Sequence, residues 1–278
     1  MPEDLTVLAS SALAEDAPAG DLTTGLTVRA DVACTAELIA KQPGVIAGVD
    51  VARAVFEAAA SQDGTSVEVD VKAPDGTSVG PGDRVAVVRG SARTILRAER
   101  PAVNLLGHLS GVATLTRRFV EAAAPAAILC TRKTTPGLRA LERAAVLAGG
   151  GTLHRASLSD AILIKDNHVR IAGGVAAAVA DAKRGGVPVE VEVETLEQLD
   201  EAVSAGADRV LLDNPTPELV AQAIERLGGA ERLEVSGGVT LESVASFVAA
   251  GARTVSVGAL THSAPTLDLS LEVVDVHG

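Results

Sequence analysis

Residues 188–214 read PVEVEVETLEQLDEAVSAGADRVLLDN. Pro188–Val193 and Arg209–Leu212 are short β-branched, apolar runs, and Leu196–Ala205 between them has helical spacing. The stretch therefore predicts a strand, a helix and a second strand. The same alternation extends in both directions. Candidate strands are Ala127–Cys130, Ala161–Ile164, Pro188–Val193, Arg209–Leu212, Leu233–Val235 and Thr254–Val257, and helix-like segments such as Leu138–Ala148, Pro217–Leu227 and Leu241–Ala250 follow them. Repeated strand–helix units predict a parallel sheet, and near-continuous Val, Ile and Leu runs suit strands buried on both faces. A complete eight-unit barrel takes about 250 residues, more than this segment holds. The expected fold is α/β, with an incomplete parallel α/β barrel of six or seven strands. A leucine-rich solenoid would show a Leu-x-x-Leu-x-Leu signature, which is absent.

Upstream of about residue 125 the pattern changes. Residues 32–41 read as a strand, Gln42-Pro43-Gly44 as a turn and Val45–Ala47 as a return strand, with a short helix over 50–60. Thr65–Lys72 and Arg84–Val88 read as further strands, separated by the turn clusters Pro74-Asp75-Gly76 and Gly80-Pro81-Gly82-Asp83. Ala92–Ala124 is helical in pattern, with Pro101 and Gly111 as points where it could bend or divide. This half predicts a small sheet packed on helices, a domain separate from the barrel.

Composition excludes several functions. The 278 residues carry 24 basic and 36 acidic side chains, a net charge of −12, with three Phe and no Tyr or Trp. A chain so acidic and so poor in aromatic faces lacks the basic stripes and stacking platforms that non-specific nucleic-acid binding uses. No window approaches the roughly 20 apolar residues of a membrane helix, and the start, Met1-Pro2-Glu3-Asp4, does not resemble a signal peptide. The widely spaced Cys34 and Cys130 fit reduced thiols. The expectation is a cytoplasmic protein with no nucleic-acid or membrane partner.

Polar residues gather where the proposed strands end, which is where α/β barrels place their chemistry. In chain order these are Thr131-Arg132-Lys133-Thr134-Thr135, Lys165-Asp166-Asn167-His168, Glu192 and Glu194, Asp213-Asn214, Ser236-Gly237-Gly238 and Gly258, with His154-Arg155 in the loop before the second strand. Two of only five lysines, Lys133 and Lys165, fall in this set beside Arg132, His154 and Arg155. In an anionic chain such a cluster is a local well for a compact polyanion. The competing reading is that these cations pair with Glu192, Glu194 and Asp213 across the barrel. Glu194 and Asp213 also suit Mg²⁺ or sugar hydroxyls. Ser236, Gly237, Gly238 and Gly258 can cradle a phosphate on backbone amides, with His262 nearby in sequence.

Nine strings in order resemble the quinolinate phosphoribosyltransferase family, also called carboxylating nicotinate-nucleotide pyrophosphorylases. They are Glu15-Asp16 with Gly20-Asp21-Leu22-Thr23-Thr24, Glu99-Arg100 through Thr114, Thr131 through Arg139, Gly149-Gly150-Gly151 with His154-Arg155, Ile164 through His168, Glu190 through Glu194, Leu212-Asp213-Asn214, Ser236-Gly237-Gly238 and Val257 through Ser263. The resemblance implies an N-terminal α/β sandwich over 1–110, to which a tail at 266–278 returns, and an incomplete barrel over 111–265. It also implies a homodimer or larger homo-oligomer with a shared active site, in which Arg100 is lent to the partner's site. The implied substrates are quinolinate and phosphoribosyl pyrophosphate, with Mg²⁺ and no organic cofactor. Lys133, Lys165, Glu194 and Asp213 match catalytic positions of the family. Arg100, Arg132, His154 and Arg155 match its diacid clamp, and Ser236, Gly237, Gly238, Gly258 and His262 its phosphate side. The chain departs from the pattern in several places: Cys130 stands where the family usually has Asp, Leu153 where it has Asn, and Arg143-Ala144-Ala145 and Leu147 where members commonly carry a Lys-Tyr pair and a further Arg before the triple glycine. They motivate a runner-up, the same chemistry on another anionic aromatic acid, as in a paralogous family found with molybdate-transport genes. A third reading is a ligand-binding barrel without catalysis.

Overall fold

The computed structural model describes residues 3–278. Its first elements are α1 (Glu3–Asp16), α2 (Leu22–Thr27), β1 (Ala33–Ala40), β2 (Gly44–Val45), α3 (Val49–Asp63), β3 (Val67–Val71), β4 (Ser78–Val79), β5 (Arg84–Ser91) and α4 (Ala92–Ala123). Then come β6 (Ala127–Leu129), α5 (Arg139–Ala148), β7 (Ile162–Ile164), α6 (Asp166–Ala172), α7 (Val175–Lys183), β8 (Val189–Val193), α8 (Leu196–Ser204) and β9 (Arg209–Asp213). The chain ends with α9 (Pro217–Leu227), β10 (Leu233–Ser236), α10 (Leu241–Ala249), β11 (Thr254–Ser256), α11 (Ala259–His262) and β12 (Leu269–His277). Two compact units result. One runs to Leu115 and takes in Ala140–Gly149 and Ala264–Gly278; the other comprises Thr116–Arg139 and Gly150–Ser263.

In the first unit an antiparallel sheet has the order β12-β1-β5-β3. β1 buries every second residue, Cys34, Ala36, Leu38 and Ala40, as a strand with one covered face should. The C-terminal β12 pairs with β1 from Ala33↔His277 to Ala40↔Leu269. Helix α1 was not foreseen, although Leu5, Ala9 and Leu13 recur at helical spacing and are buried. The expected return strand Val45–Ala47 does not pair with β1; β2 pairs with β4 instead. The reason lies in its amides, since Val45 N–H donates to Thr114 Oγ1 at 2.8 Å and Ala47 N–H to Ser110 Oγ at 3.0 Å, both on α4.

Helix α4 is one element of 32 residues, divided neither at Pro101 nor at Gly111. Its glycines serve close approach. Leu267 N–H donates to the Gly107 carbonyl at 3.0 Å, and a Cβ on Gly111 would run into the carbonyl of Pro265. Gly111→Ala therefore forces backbone against backbone, and we expect it to lower unfolding free energy by about 1–3 kcal/mol in urea titrations. A midpoint equal to that of the unmodified chain rejects this packing.

In the second unit six parallel strands have the order β6-β11-β10-β9-β8-β7. Neighbours follow chain order except that the first strand, β6, is hydrogen-bonded to the last, β11. Such a cyclic order is a barrel broken between β6 and β7. Thr152 partly fills the break by bridging Leu129: its N–H donates to the Ile128 carbonyl at 2.7 Å, and Cys130 N–H donates back to Thr152 at 3.1 Å. Helix α5, which follows β6 in the chain, belongs almost wholly to the first unit. The strands are covered on both faces as expected, but one face carries charge. In β8, Val189, Val191 and Val193 are buried on one face, while Glu190 and Glu192 occupy the other. Arg209 of β9 stands beside Glu190 in register.

The loops after β8, β9 and β10 share one device. Thr195, Thr216 and Thr240 each accept the N–H three residues ahead, from Gln198, Leu219 and Ser243. Each thus caps the following helix and fixes the strand-end residues before it.

Candidate active site

A cavity of about 350 Å³ opens among the C-terminal ends of the barrel strands. It is lined by Arg132, Lys133, His154, Arg155 and Lys165, faced by Glu192, Asp213 and Glu234, with Thr131, Leu163, Leu211, Ser236 and Ser256 completing the wall. Five basic side chains thus meet in one cavity of a chain with net charge −12.

The segment after β6 supplies the first cations. Thr131 Oγ1 accepts the Lys133 N–H at 3.1 Å, and the Lys133 carbonyl accepts from Thr261 Oγ1 at 2.7 Å. The turn is therefore tied to α11. A Cβ on Gly258 would lie 3.0 Å from His262 Nε2 and 3.2 Å from Lys133 Cδ, which places these three residues together. Arg132 has a buried Nε without a hydrogen-bond partner among the described residues. The Arg155 guanidinium donates to the Ala161 carbonyl at 3.0 Å. Burial first, and the neighbouring Arg132 second, pull Arg155 below the ordinary guanidinium range.

The opposite rim is acidic. Lys165 is ion-paired with Glu192, so the competing reading of strand-end cations paired across the barrel holds for that residue. Asp213 ends β9 and accepts from Asn214 Nδ2 at 2.8 Å; Asn214 itself adopts φ 49°. Burial, then Glu192, push the Asp213 carboxyl upward, with Glu194 adding in the same direction, while Lys165 and Lys133 oppose. Glu194 closes β8 at an exposed position. Its N–H is taken by Gln198 Oε1 at 2.8 Å.

Of the residues singled out from the sequence, Thr131, Arg132, Lys133, His154, Arg155, Lys165, Glu192, Asp213 and Ser236 line the cavity. Glu194, Gly237, Gly238, Gly258 and His262 lie outside that lining but in the adjoining strand-end turns. Arg100 sits in the other unit, on α4, exposed and ion-paired with Glu99 at 3.6 Å. Cys130 and Leu153 are not lining residues, and Cys130 is wholly buried. Sequence reasoning missed Glu234 altogether and gave Glu190 no role. The available signal was period two: acids at alternate positions of strands whose other face is apolar.

Fold and site define a phosphoribosyltransferase with an incomplete α/β barrel. Residues 21–110 match the N-terminal domain family, and 112–272 the C-terminal domain family, of quinolinate phosphoribosyl transferase. The nicotinate-nucleotide pyrophosphorylase [carboxylating] of Mycobacterium leprae is 42% identical over 270 residues, covering 94% of this chain and 94% of that protein. A probable nicotinate-nucleotide pyrophosphorylase [carboxylating] of Bacillus subtilis is 40% identical over 264 residues, covering 93% and 90%. The crystal structure of NadC from Streptococcus pyogenes superposes with TM-score 0.90 at 38% identity, covering 99% of each chain. The chain belongs to the quinolinate phosphoribosyltransferase family.

Gly237 tests the phosphate-side turn. It has φ 85°, and a Cβ there would stand 2.5 Å from Asp213 Oδ1 and Asn214 Oδ1. At Gly238 the nearest atom would be Asn214 Oδ1 at 3.4 Å. We expect Gly237→Ala to cost about 1–3 kcal/mol of stability through strain and displaced acceptors, and to lower turnover more than Gly238→Ala does. Equal effects of the two substitutions would contradict this geometry.

Proposed function

We infer that this site catalyses the reaction of carboxylating nicotinate-nucleotide pyrophosphorylases, a step of NAD biosynthesis. The ring nitrogen of quinolinate bonds to C1 of phosphoribosyl pyrophosphate and the C1–O bond to pyrophosphate breaks; the bond from ring C2 to its carboxylate then breaks to release CO₂, and C2 takes up a proton from water in its place. Products are nicotinate mononucleotide, pyrophosphate and CO₂. The observation that carries this reading is the cation-lined cavity with an acidic rim, set in a chain of this family.

Arg132, His154 and Arg155 hold the two carboxylates. Orientation by two charged points sets the ring nitrogen against C1. A monoacid would leave one of these cations unpaired, which disfavours it. Lys133 and Lys165 stabilise the charge that collects on departing pyrophosphate. Lys165 must exchange its Glu192 partner for substrate oxygen to do so. Asp213 and Glu194 bind ribose hydroxyls, and Ser236, Gly237, Gly238, Gly258 and His262 receive the 5-phosphate.

The rim also fits Mg²⁺. Burial first, then Glu192 and last Glu194, push the Asp213 carboxyl upward, and a divalent cation held there would offset the carboxylates' part of that shift. Glu194 and Asp213 would hold it. Bound with phosphoribosyl pyrophosphate, the ion neutralises part of the leaving group's charge. The reading includes a homodimer or larger homo-oligomer in which Arg100 of one subunit completes the other's site; the exposed position of Arg100 in the first unit supports it. A cytoplasmic setting fits two cysteines that are buried free thiols, and no described helix is long and apolar enough to cross a membrane. The runner-up, another anionic aromatic acid, loses weight because Cys130 and Leu153 do not line the cavity.

Purified protein given quinolinate, phosphoribosyl pyrophosphate and Mg²⁺ should form a product with the mass of nicotinate mononucleotide; consumption of a different acid alone would favour the runner-up. Lys133→Ala should lower turnover by roughly 100-fold or more, the scale of one preorganised electrostatic donor. Turnover at the unmodified level removes Lys133 from this role. Subunits carrying Arg100→Ala and Lys133→Ala, inactive separately, should regain roughly one quarter of full activity when reassorted, since half the mixed dimer's sites are intact. No regain under conditions of exchange excludes the shared site.

A further inference from the structure

Against the cavity wall the barrel interior holds two acids, Glu190 and Glu234, and an arginine, Arg209, that no step above uses. Glu190 of β8 is 9% exposed and Glu234 of β10 is 1% exposed. Arg209 of β9 lies between them, 3.4 Å from Glu190 Oε1 and 3.6 Å from Glu234 Oε2. Their other oxygens face His154 Nε2, at 3.3 Å for Glu190 and 3.5 Å for Glu234. Two carboxylates and two cationic groups make a set that balances when the imidazole is charged. The His154, Glu190 and Glu234 ligand atoms fall within 4.8 Å of one another, close enough for a metal ion. Arg209, in reach of both acids, already supplies positive charge there, so the set reads as an ion-pair network.

The second ring nitrogen settles the tautomer. His154 Nδ1 accepts the Arg155 backbone N–H at 2.7 Å, so the single proton of a neutral ring belongs on Nε2, facing the acids. A second proton must go to Nδ1 and displace that amide. We propose that Glu190 and Glu234, clamped by Arg209, are positioning residues for His154: they fix Nε2–H toward the barrel interior and leave Nδ1 as the edge that takes up a proton and donates it to an anionic ligand. The identity of that ligand as quinolinate rests on the function inferred above; the placement of the ring does not.

The charged groups around the ring agree with this assignment. The hydrogen bond to Glu190 raises the imidazole above its ordinary range, with the charges of Glu234 and Glu190 adding to it; burial and Arg155 oppose. Burial, followed by Glu190, pushes Glu234 upward, and His154, a hydrogen bond from Ser256 and then Arg209 hold it down. Because the raised group is a histidine, the charged ring's contribution is full at acidic pH and is lost as pH rises through the raised value. Replacing Glu190 moves that loss to lower pH.

The chain has only five histidines, so the His154 ring nitrogens can be assigned by ¹⁵N NMR, using His154→Asn to identify the missing signals. In the free protein we expect the Nε2–H form at alkaline pH and protonation of Nδ1 above the ordinary imidazole range. In Glu190→Gln we expect that protonation at lower pH, together with a KM for quinolinate raised roughly tenfold at neutral pH, the scale of one hydrogen bond to a charged group, and kcat within about twofold. Glu190→Asp, which keeps the charge, should restore much of the KM. An Nδ1–H tautomer, or ordinary titration in the unmodified protein, overturns the proposal. That measurement decides even if Glu190→Gln fails to fold. A fixed Nε2–H ring in a protein that makes no nicotinate mononucleotide would leave the positioning role standing and end the functional reading instead.

Discussion

Neutralisation of charge inside the barrel is the constraint on which the rest of this structure depends. An isolated carboxylate placed among strands carries a desolvation penalty of several kcal/mol, and this barrel buries two, Glu190 and Glu234. They are tolerable because Arg209 spans them from the strand between, because Ser256 hydrogen-bonds Glu234, and because His154 stands within ion-pair distance of their remaining oxygens, although Glu234 Oε1 has no hydrogen-bond partner among the described residues. The same arrangement decides which cations stay available at the mouth. Arg209 and one edge of His154 are consumed by these acids, whereas Arg132 keeps a buried Nε without a hydrogen-bond partner among the described residues.

The cavity is consequently under electrostatic tension. Arg132 and Arg155 repel one another in a partly buried site, and Arg155 is pulled below its usual range as a result of burial and that neighbour. Across the mouth, Asp213 is pushed up by burial and by Glu192. Like charges gathered on each side are a poor arrangement for an empty pocket and suit ligands of opposite charge. The scaffold sustains that tension through backbone restraint: threonine caps after three successive strands and the hydrogen bond from Thr261 to the Lys133 carbonyl.

Much of the architecture was legible in the chain. The six barrel strands fall within one residue of their predicted limits, and Pro217–Leu227 is a helix as expected. Periodicity reports local geometry directly, and each βα unit carries its own cap and turn residues. Elements whose partner is remote in sequence were harder. The return strand at Val45 was assigned to β1, but α4 side chains take its amides. Helix α5 reads as another barrel helix, yet most of it clusters with the first unit. For the site, residues at strand ends were recognisable because polar side chains interrupt apolar runs. Glu190 and Glu234 were not, because each sits inside a strand, where composition alone does not tell an inward face from an outward one.

By itself, the sequence determined the alternating βα order, the strand-end positions of Arg132, Lys133, Lys165 and Asp213, and membership in a recognisable family. Local spacing and turn chemistry suffice for these, since each depends on residues a few positions apart. Only the tertiary structure decided that β6 bonds to β11 rather than to β7, that His154 offers its Nε2 to two buried acids, and that Lys165 is already paired with Glu192. Those outcomes depend on which strands become neighbours and which face turns inward, and both are set by closing the sheet on itself.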